Sequence, residues 1–379
     1  MIKLIHAADV HLDSPFRMED LQKAQARKNE LRAAFSSLIY WAKTENADFL
    51  LLAGDLFDSP HPSPDAVEFV LSQFRMIPAC RIVITPGNHD HLASDSVWAK
   101  YEMPENVTLF KESALSKVSF AMPSGDTVNI YGYAFTSPIL DCNPFAHLTL
   151  DSSDEINIIV AHGNLGGDKS KDCPISLAEI RATKADYIAL GHIHNTPGIK
   201  KVDNTYFGYS GSLEGRAFND RGERGAYKIE ITKANGVATC RPAFFRLCKR
   251  IYAVDSLNVT GFDSETAILS AITELFKAKG YAGDTLLRLE LVGSLAEGIE
   301  LSKKKLKELT APLFYAEIID HTTPEFNVEA LKNDPTIKGE LVRTLLPSLE
   351  SEDEELRHTA RLALKYGLLA LTGNDVSDF

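Results

Sequence analysis

Five short apolar runs in the first two hundred residues each end in a cluster of polar residues. Ile2 to Ala8 leads into Asp9-Val10-His11, and Phe49 to Ala53 into Gly54-Asp55-Leu56-Phe57-Asp58. Arg81 to Thr85 leads into Pro86-Gly87-Asn88-His89-Asp90, Ile156 to Ala161 into His162, and Tyr187 to Leu190 into Gly191-His192-Ile193-His194. Short runs rich in Ile, Val and Leu, separated by helical stretches, predict strands buried on both faces of a sheet. The stretches between them carry helix signals. Residues 19–46 place Leu31, Phe35 and Leu38 at helical spacing, Ser63-Pro64 is an N-cap followed by proline, and Ser176-Leu177-Ala178-Glu179 has the form of a capping box. The prediction is an α/β fold. Open α/β sheets bind ligands beyond the carboxyl ends of their strands, so all five clusters are expected on one rim.

The chemistry of that rim follows from its residue types. Asp9, His11, Asp55, Asn88, His162, His192 and His194 supply carboxylate, imidazole and carboxamide, with no thiolate. That mixture suits manganese, iron or zinc in an open catalytic site. Seven donors exceed the needs of one ion and match two with a shared carboxylate, an arrangement suited to in-line phosphoryl displacement. Gly54, Gly87 and Gly191 remove side-chain bulk where the backbone must turn and approach ions or phosphate. His89 and Asp90 read as a proton-handling pair, the carboxylate orienting the imidazole, and Asp58 as a partner that orients a ligand.

Further along, residues 205–232 read as a hairpin closing a second sheet, with Arg216, Arg221 and Arg224 on its loop within reach of phosphates. A solvated turn with ordinary surface charge satisfies the same residues. From 250 to 325 the pattern becomes strand (Ile251 to Val254), helix (Ser264 to Lys279), strand (Thr285 to Val292), helix (Leu301 to Thr310) and strand (Phe314 to Ile319), a separate α+β unit. After Pro324 the chain turns helical and acidic. Ser351-Glu352-Asp353-Glu354 is expected to cap a helix with Leu356, Ala360, Leu364, Leu368 and Leu371 along one face, a stripe that fits either its own domain or a partner's groove.

A net charge of −12 argues at first against a nucleic-acid substrate, since duplex binding rests on Lys and Arg contacts to phosphate. The distribution weakens that objection. Residues 1–250 carry 27 Lys and Arg against 30 Asp and Glu, residues 251–379 carry 13 against 22, and two divalent cations would bring the first part to about +1. The five cysteines, Cys80, Cys142, Cys173, Cys240 and Cys248, show no Cys-x-x-Cys spacing and are read as packing residues, not disulfides or zinc ligands. No apolar run approaches the roughly 20 residues that cross a bilayer, and the first residues read as a strand, so a cytoplasmic location and no membrane association are expected.

Taken together and in order, Asp9-x-His11, Gly54-Asp55-x-x-Asp58, Gly87-Asn88-His89-Asp90, His162 and Gly191-His192-x-His194 resemble the calcineurin-like metallophosphoesterase signature. Ala8 to Leu12, Gly54 to Asp58 and the later Gly211-Ser212, Phe218 and Gly225 resemble the SbcD branch of DNA-repair exonucleases, and Asp9 to Phe16 its YhaO-type bacterial members. The resemblance covers about residues 1–250. It implies a four-layer α/β/β/α sandwich over 1–248, a small α+β capping domain over 249–325 and C-terminal helices over 326–379 that dock an SbcC-type coiled-coil ATPase. It also implies one ion on Asp9, His11, Asp55 and His194, another on Asp55, Asn88, His162 and His192, manganese as the metal, and His89 stabilising the transition state or leaving group. Asp13 departs from the glycine common after His-Leu in that branch, which bears on substrate detail. A DNA nuclease is the expected function. A phosphoesterase for cyclic nucleotides or phosphoproteins and a non-catalytic interaction module are the alternatives, and a homodimer stays open.

Overall fold

Alternation within the buried strands sets the layers. Along β1 (Ile2–Ala7), Ile2 and Leu4 enter one core while Ile5 and Ala7 enter another, and β2 (Phe49–Ala53) divides in the same way between Phe49, Leu51, Ala53 and Leu50, Leu52. Side chains of a strand point to opposite faces in turn, so a strand apolar at every position must be covered on both sides. One face of this first sheet receives α1 (Leu21–Thr44) and α2 (Pro64–Arg75), which supply Leu31, Phe35, Leu38, Val67, Val70 and Phe74. The other face meets a second sheet.

The computed structural model describes residues 1–18, 20–151, 154–166, 170–296, 299–324 and 328–371. After β3 (Arg81–Thr85) and the single turn α3 (Val97–Lys100), the chain forms β4 (Val107–Leu109) and then β5 (Ser116–Ala121), β6 (Thr127–Gly132) and β7 (Ile156–His162). Two short strands, β8 (Asn164–Leu165) and β9 (Pro174–Ile175), precede α4 (Leu177–Thr183), β10 (Tyr187–Gly191), β11 (Lys200–Val202) and β12 (Thr205–Tyr209). A hairpin of β13 (Gly225–Ala234) and β14 (Val237–Arg246) follows. The first sheet has the order β14-β13-β1-β2-β3-β4 and the second β11-β12-β10-β7-β6-β5. Ile158, Val160 and Ala189 of the second sheet meet the first, while Ile159, Ile188 and Leu190 face the α4 side with Ile180. The result is the α/β/β/α layering, with β1–β2–β3 and β6–β7–β10 parallel so that their carboxyl ends share a rim.

The helix starts match their sequence signals. Ser63 Oγ accepts the Ala66 N–H, and Ser176 and Glu179 exchange bonds through the Glu179 N–H (3.2 Å) and the Ser176 N–H (2.8 Å), a reciprocal capping box. The expected hairpin over 205–232 is different. Here β12 runs parallel to β10 in the second sheet, β13 runs antiparallel to β1 in the first, and residues 210–224 carry the chain across between them. Similar apolar content in the two strands concealed that they serve different sheets. Among the cysteines, four are buried and free, whereas Cys142 is exposed, which corrects its reading as a packing residue.

The chain divides into Met1–Tyr252 and Ala253–Phe379. In the second unit, β15 (Ile251–Asn258), β16 (Thr285–Leu295) and β17 (Tyr315–Pro324) form a sheet covered by α5 (Glu265–Lys279) and α6 (Lys303–Thr310), around Ile268, Ile272, Leu287, Leu289 and Leu291. Three helices follow, α7 (Val328–Lys332), α8 (Ile337–Leu349) and α9 (Glu354–Leu371). Ala360, Leu364 and Leu368 of the apolar stripe are buried, Leu364 and Leu368 packing with Val342 of α8, while Leu356 and Leu371 stay exposed. The cap of α9 falls within the expected Ser351–Glu354 segment, at Asp353, whose carboxylate accepts from Glu355 N and Leu356 N. The expected boundary at 325/326 lies outside the described residues.

Candidate metal centre

The rim is assembled by continuing the sheet's pairing past the ends of its strands. Asp9 N donates to Gly54 O (3.1 Å), His11 N to Asp55 O (2.9 Å) and Leu12 N to Leu56 O (2.9 Å), so the loops after β1 and β2 run side by side. Those loops are backbone-strained. Asp9 (φ 50°), His11 (φ 51°), Asp55 (φ 52°) and His192 (φ 105°) all occupy left-handed conformations that side chains rarely adopt. Such strain persists only where the surroundings enforce it, and it concentrates at functional sites. The adjoining glycines are needed for contact: a Cβ at Gly54 would overlap the His162 ring, and one at Gly87 the Asp55 carboxylate.

The structure brings the seven predicted donors to one place. Donor atoms of Asp9, His11 and His194 lie within 4.8 Å of one another, as do those of Asp9, Asp55 and His162. Asp55 Oδ2 stands 3.7 Å from His11 Nε2 and 3.4 Å from His162 Nε2, between the two sets. Asn88 Oδ1 lies 2.9 Å from His162 Nε2. The His192 ring sits 5.2 Å from that of His162, while its backbone N–H donates to both Asp9 oxygens at 3.0 and 3.1 Å.

Cations fit this arrangement on two grounds. Asp9 and Asp55 are buried, and among the described residues no Lys or Arg pairs with either carboxylate. Buried carboxylates without compensating charge are expensive, so the site demands positive charge from elsewhere. In addition, His11 Nε2 and His194 Nε2 face each other at 3.2 Å. The His194 Nδ1 is bonded to Asp220 (3.0 Å), and Asp58 Oδ1 lies 3.1 Å from His11 Nδ1, though off the line of its N–H. The carboxylate on the outer nitrogen of His194 keeps the proton there and turns its Nε2 lone pair towards His11 Nε2, a pair of nitrogens that a cation can share.

The electrostatics of these side chains point the same way. Burial pushes the Asp9 carboxyl up against the pull of His162 and His194. Burial also favours a protonated Asp55, but His162, through its charge and hydrogen bond, and His11 outweigh that and hold it well below the usual carboxylate range. His162 loses to burial and gains more from Asp55 and Asp9, which raise it to about 9, whereas burial lowers His11 and His192 to about 4.

His89 stands at the edge of the cluster with its side chain 43% exposed. Its N–H donates to Asp55 Oδ1 (2.9 Å), its ring meets His11 edge-on at 4.7 Å, and its Nδ1 faces the Asp58 carbonyl at 3.3 Å. That leaves Nε2 without a partner among the described residues. The expected pairing with Asp90 is not what the geometry provides. The Asp90 carboxylate accepts from Gly87 N (2.8 Å), Leu56 N (2.9 Å) and Phe57 N (3.2 Å), so it ties the loop after β2 to the loop after β3, and Asp58 is the carboxylate beside His89. Burial, with the Asp55 charge adding, raises the Asp90 carboxyl to about 7.

The three arginines separate. Arg224 is 1% exposed and binds the His194 carbonyl, Asn195 Oδ1 and the Arg221 carbonyl, so it builds the loop and is withdrawn as a DNA contact. Arg216 pairs with Asp58 and donates to Ser14 Oγ. Only Arg221 projects outward, its Nε on the Phe218 carbonyl. One residue escaped the sequence analysis: Asp220, buried against His194, whose available signal was an acidic residue between Arg216 and Arg224 in the segment after Gly211-Ser212.

Comparison with known proteins bears on the same rim. Over 362 residues, 93% of this chain and 83% of the relative, the sequence is 29% identical to an uncharacterized metallophosphoesterase, YhaO, of Bacillus subtilis strain 168. Among solved structures, a dimetal phosphatase from Danio rerio aligns with a TM-score of 0.40 at 9% identity, covering 63% of this chain and 98% of that one. A Vps29 double mutant from Entamoeba histolytica aligns with a TM-score of 0.27 at 12% identity, covering 65% and 100%. The family model for calcineurin-like phosphoesterases matches residues 2–196, which span all seven donors and both parallel strand sets, and the chain belongs to that family.

Proposed function

We propose that this metallophosphoesterase is a manganese-dependent phosphodiesterase that processes DNA ends. Two histidine Nε2 atoms facing each other at 3.2 Å beside a pair of buried carboxylates are the observation that carries the metal-dependent reading. Asp9, His11, Asp55 and His194 would hold one cation, and Asp55, Asn88, His162 and His192 the other. Bound there, the cations supply a coordinated water of lowered pKa and charge stabilisation for phosphoryl oxygens. The chain's own contribution is to orient and to handle a proton. Asp55 accepts the His89 N–H and so fixes that loop, the Asp58 carbonyl holds the His89 Nδ1–H, and the exposed ring, when it carries a second proton on Nε2, can give that proton to a departing oxygen.

DNA as the substrate rests on the SbcD-like forms of Ala8 to Leu12, Gly54 to Asp58 and Gly211-Ser212 with Phe218, near which Arg221 is exposed. The second unit, with Leu356 and Leu371 exposed on α9, supports an SbcC-type ATPase partner. The test is cleavage of end-labelled linear duplex DNA with and without manganese, beside bis-p-nitrophenyl phosphate, by wild type and His89→Ala. Loss of label that needs both manganese and His89 is expected. Cleavage of the small diester alone would replace the nuclease reading with a small-molecule phosphodiesterase.

A further inference from the structure

We propose that Asp220 is a positioning residue for one of the two metal sites, locking His194 in the Nδ1–H form with Nε2 turned to the cation. This goes beyond the substrate reading and needs no substrate to test.

Asp220 is 3% exposed and splits its carboxylate between two donors: Oδ1 takes the His194 Nδ1–H at 3.0 Å and Oδ2 the Arg216 backbone N–H at 2.9 Å. The crossing segment that presents it is anchored along its length. Ser212 N donates to the His194 carbonyl (3.1 Å), and Arg27 reaches both Glu214 Oε2 and the Gly215 carbonyl at 2.8 Å. The Tyr252 hydroxyl holds the Arg216 carbonyl (3.2 Å), and Arg224 returns to the His194 carbonyl and to Asn195 Oδ1 (2.9 Å). Both the backbone and the ring of His194 are therefore gripped from one segment, the ring through Asp220. The same segment sends Arg216 to Asp58, beside the Nδ1 of the facing His11. A carboxylate on the outer nitrogen of a ligating histidine fixes its tautomer and orientation and raises its basicity, and removing such a partner lowers metal affinity about 10- to 100-fold.

Asp220→Asn preserves volume but offers one acceptor oxygen where two donors converge, so either His194 Nδ1–H or Arg216 N–H meets an amide N–H. Manganese titrated calorimetrically into the metal-free full chain should then show one site weakened about 10- to 100-fold and the other within about twofold of wild type. In a His194→Ala background the same substitution should change manganese affinity less than about twofold, because the ring it acts through is gone. Wild-type affinity at both sites in Asp220→Asn would overturn the proposal. So would an undiminished loss in the His194→Ala background, which would mark Asp220 as a general support of the loop. Should Asp220→Asn fail to fold, nitrogen-15 histidine spectra of the metal-free wild type decide: the Nδ1–H form of His194 is expected, and a dominant Nε2–H form refutes the idea.

Discussion

His6 makes the fold's pH dependence calculable. It lies on β1, fully buried between the sheets, with Nε2 3.1 Å from the Leu190 carbonyl and Nδ1 2.9 Å from the Tyr187 hydroxyl of β10. A carbonyl only accepts, so Nε2 carries the proton, Nδ1 accepts from tyrosine, and the ring is neutral. Burial lowers its pKa to about 3, against 6.5 for the free side chain, the Leu190 bond recovering only part of the loss. Because the folded value is depressed, the unfolded chain binds the proton first, and stability falls as pH drops from 6.5 towards 3. Each pH unit in that window costs about 1.4 kcal/mol, so His6 removes about 2 kcal/mol by pH 5. Both tryptophans, Trp41 and Trp98, lie in the first unit, so their fluorescence during urea unfolding reads this unit. In metal-free protein, His6→Gln, whose amide can still donate to Leu190 O, should be less stable at pH 7.5 but should lose about 2 kcal/mol less than wild type between pH 7.5 and 5. Parallel curves over that range would refute the buried neutral histidine.

Three further outcomes are expected. Gly87→Ala drives a methyl group into the Asp55 carboxylate and should cost about 1–3 kcal/mol of overpacking in urea unfolding together with measurable manganese affinity; unchanged calorimetric binding would show that the loop yields. Asp90→Ala strands three backbone N–H groups at about 1–3 kcal/mol each and should lower the unfolding midpoint strongly, whereas His89→Ala should stay within about 0.5 kcal/mol; the reverse order would restore Asp90 to the chemistry. With DNA, Arg221→Ala should reduce the slope of log affinity against log salt by about 1, and Arg224→Gln should destabilise the fold without altering that slope. An effect of Arg224→Gln on the slope alone would return it to the DNA surface.

What the sequence made legible was whatever a local pattern encodes. The buried strands declare themselves through runs such as Phe49-Leu50-Leu51-Leu52, and the donors were visible because each follows such a run directly. Partners that arrive from another sheet leave no such trace. Asp90 adjoins His89 in sequence, yet its carboxylate turns back to the backbone of residues 56, 57 and 87, because those buried N–H groups have no strand to satisfy them. Arg216, Arg221 and Arg224 look equivalent in a basic stretch, but burial turns Arg224 into a backbone clasp.

The crossing segment 210–224 shows why this gap falls at the site itself. The second sheet supplies His162, His192 and His194, and the first supplies Asp9, His11, Asp55 and Asn88, so the donors meet only if the sheets keep their relative position at the rim. His6 joins β1 to β10 three residues before Asp9 and two before His192, counted from Leu190, while the crossing segment joins the same sheets through His194, Asp220, Arg216 and Asp58. Four donors are meanwhile held at positive φ, each a strain of about 1–3 kcal/mol that persists only if the surroundings over-determine it. Those surroundings include these two tethers, one neutral and hydrogen-bonded, the other ionic.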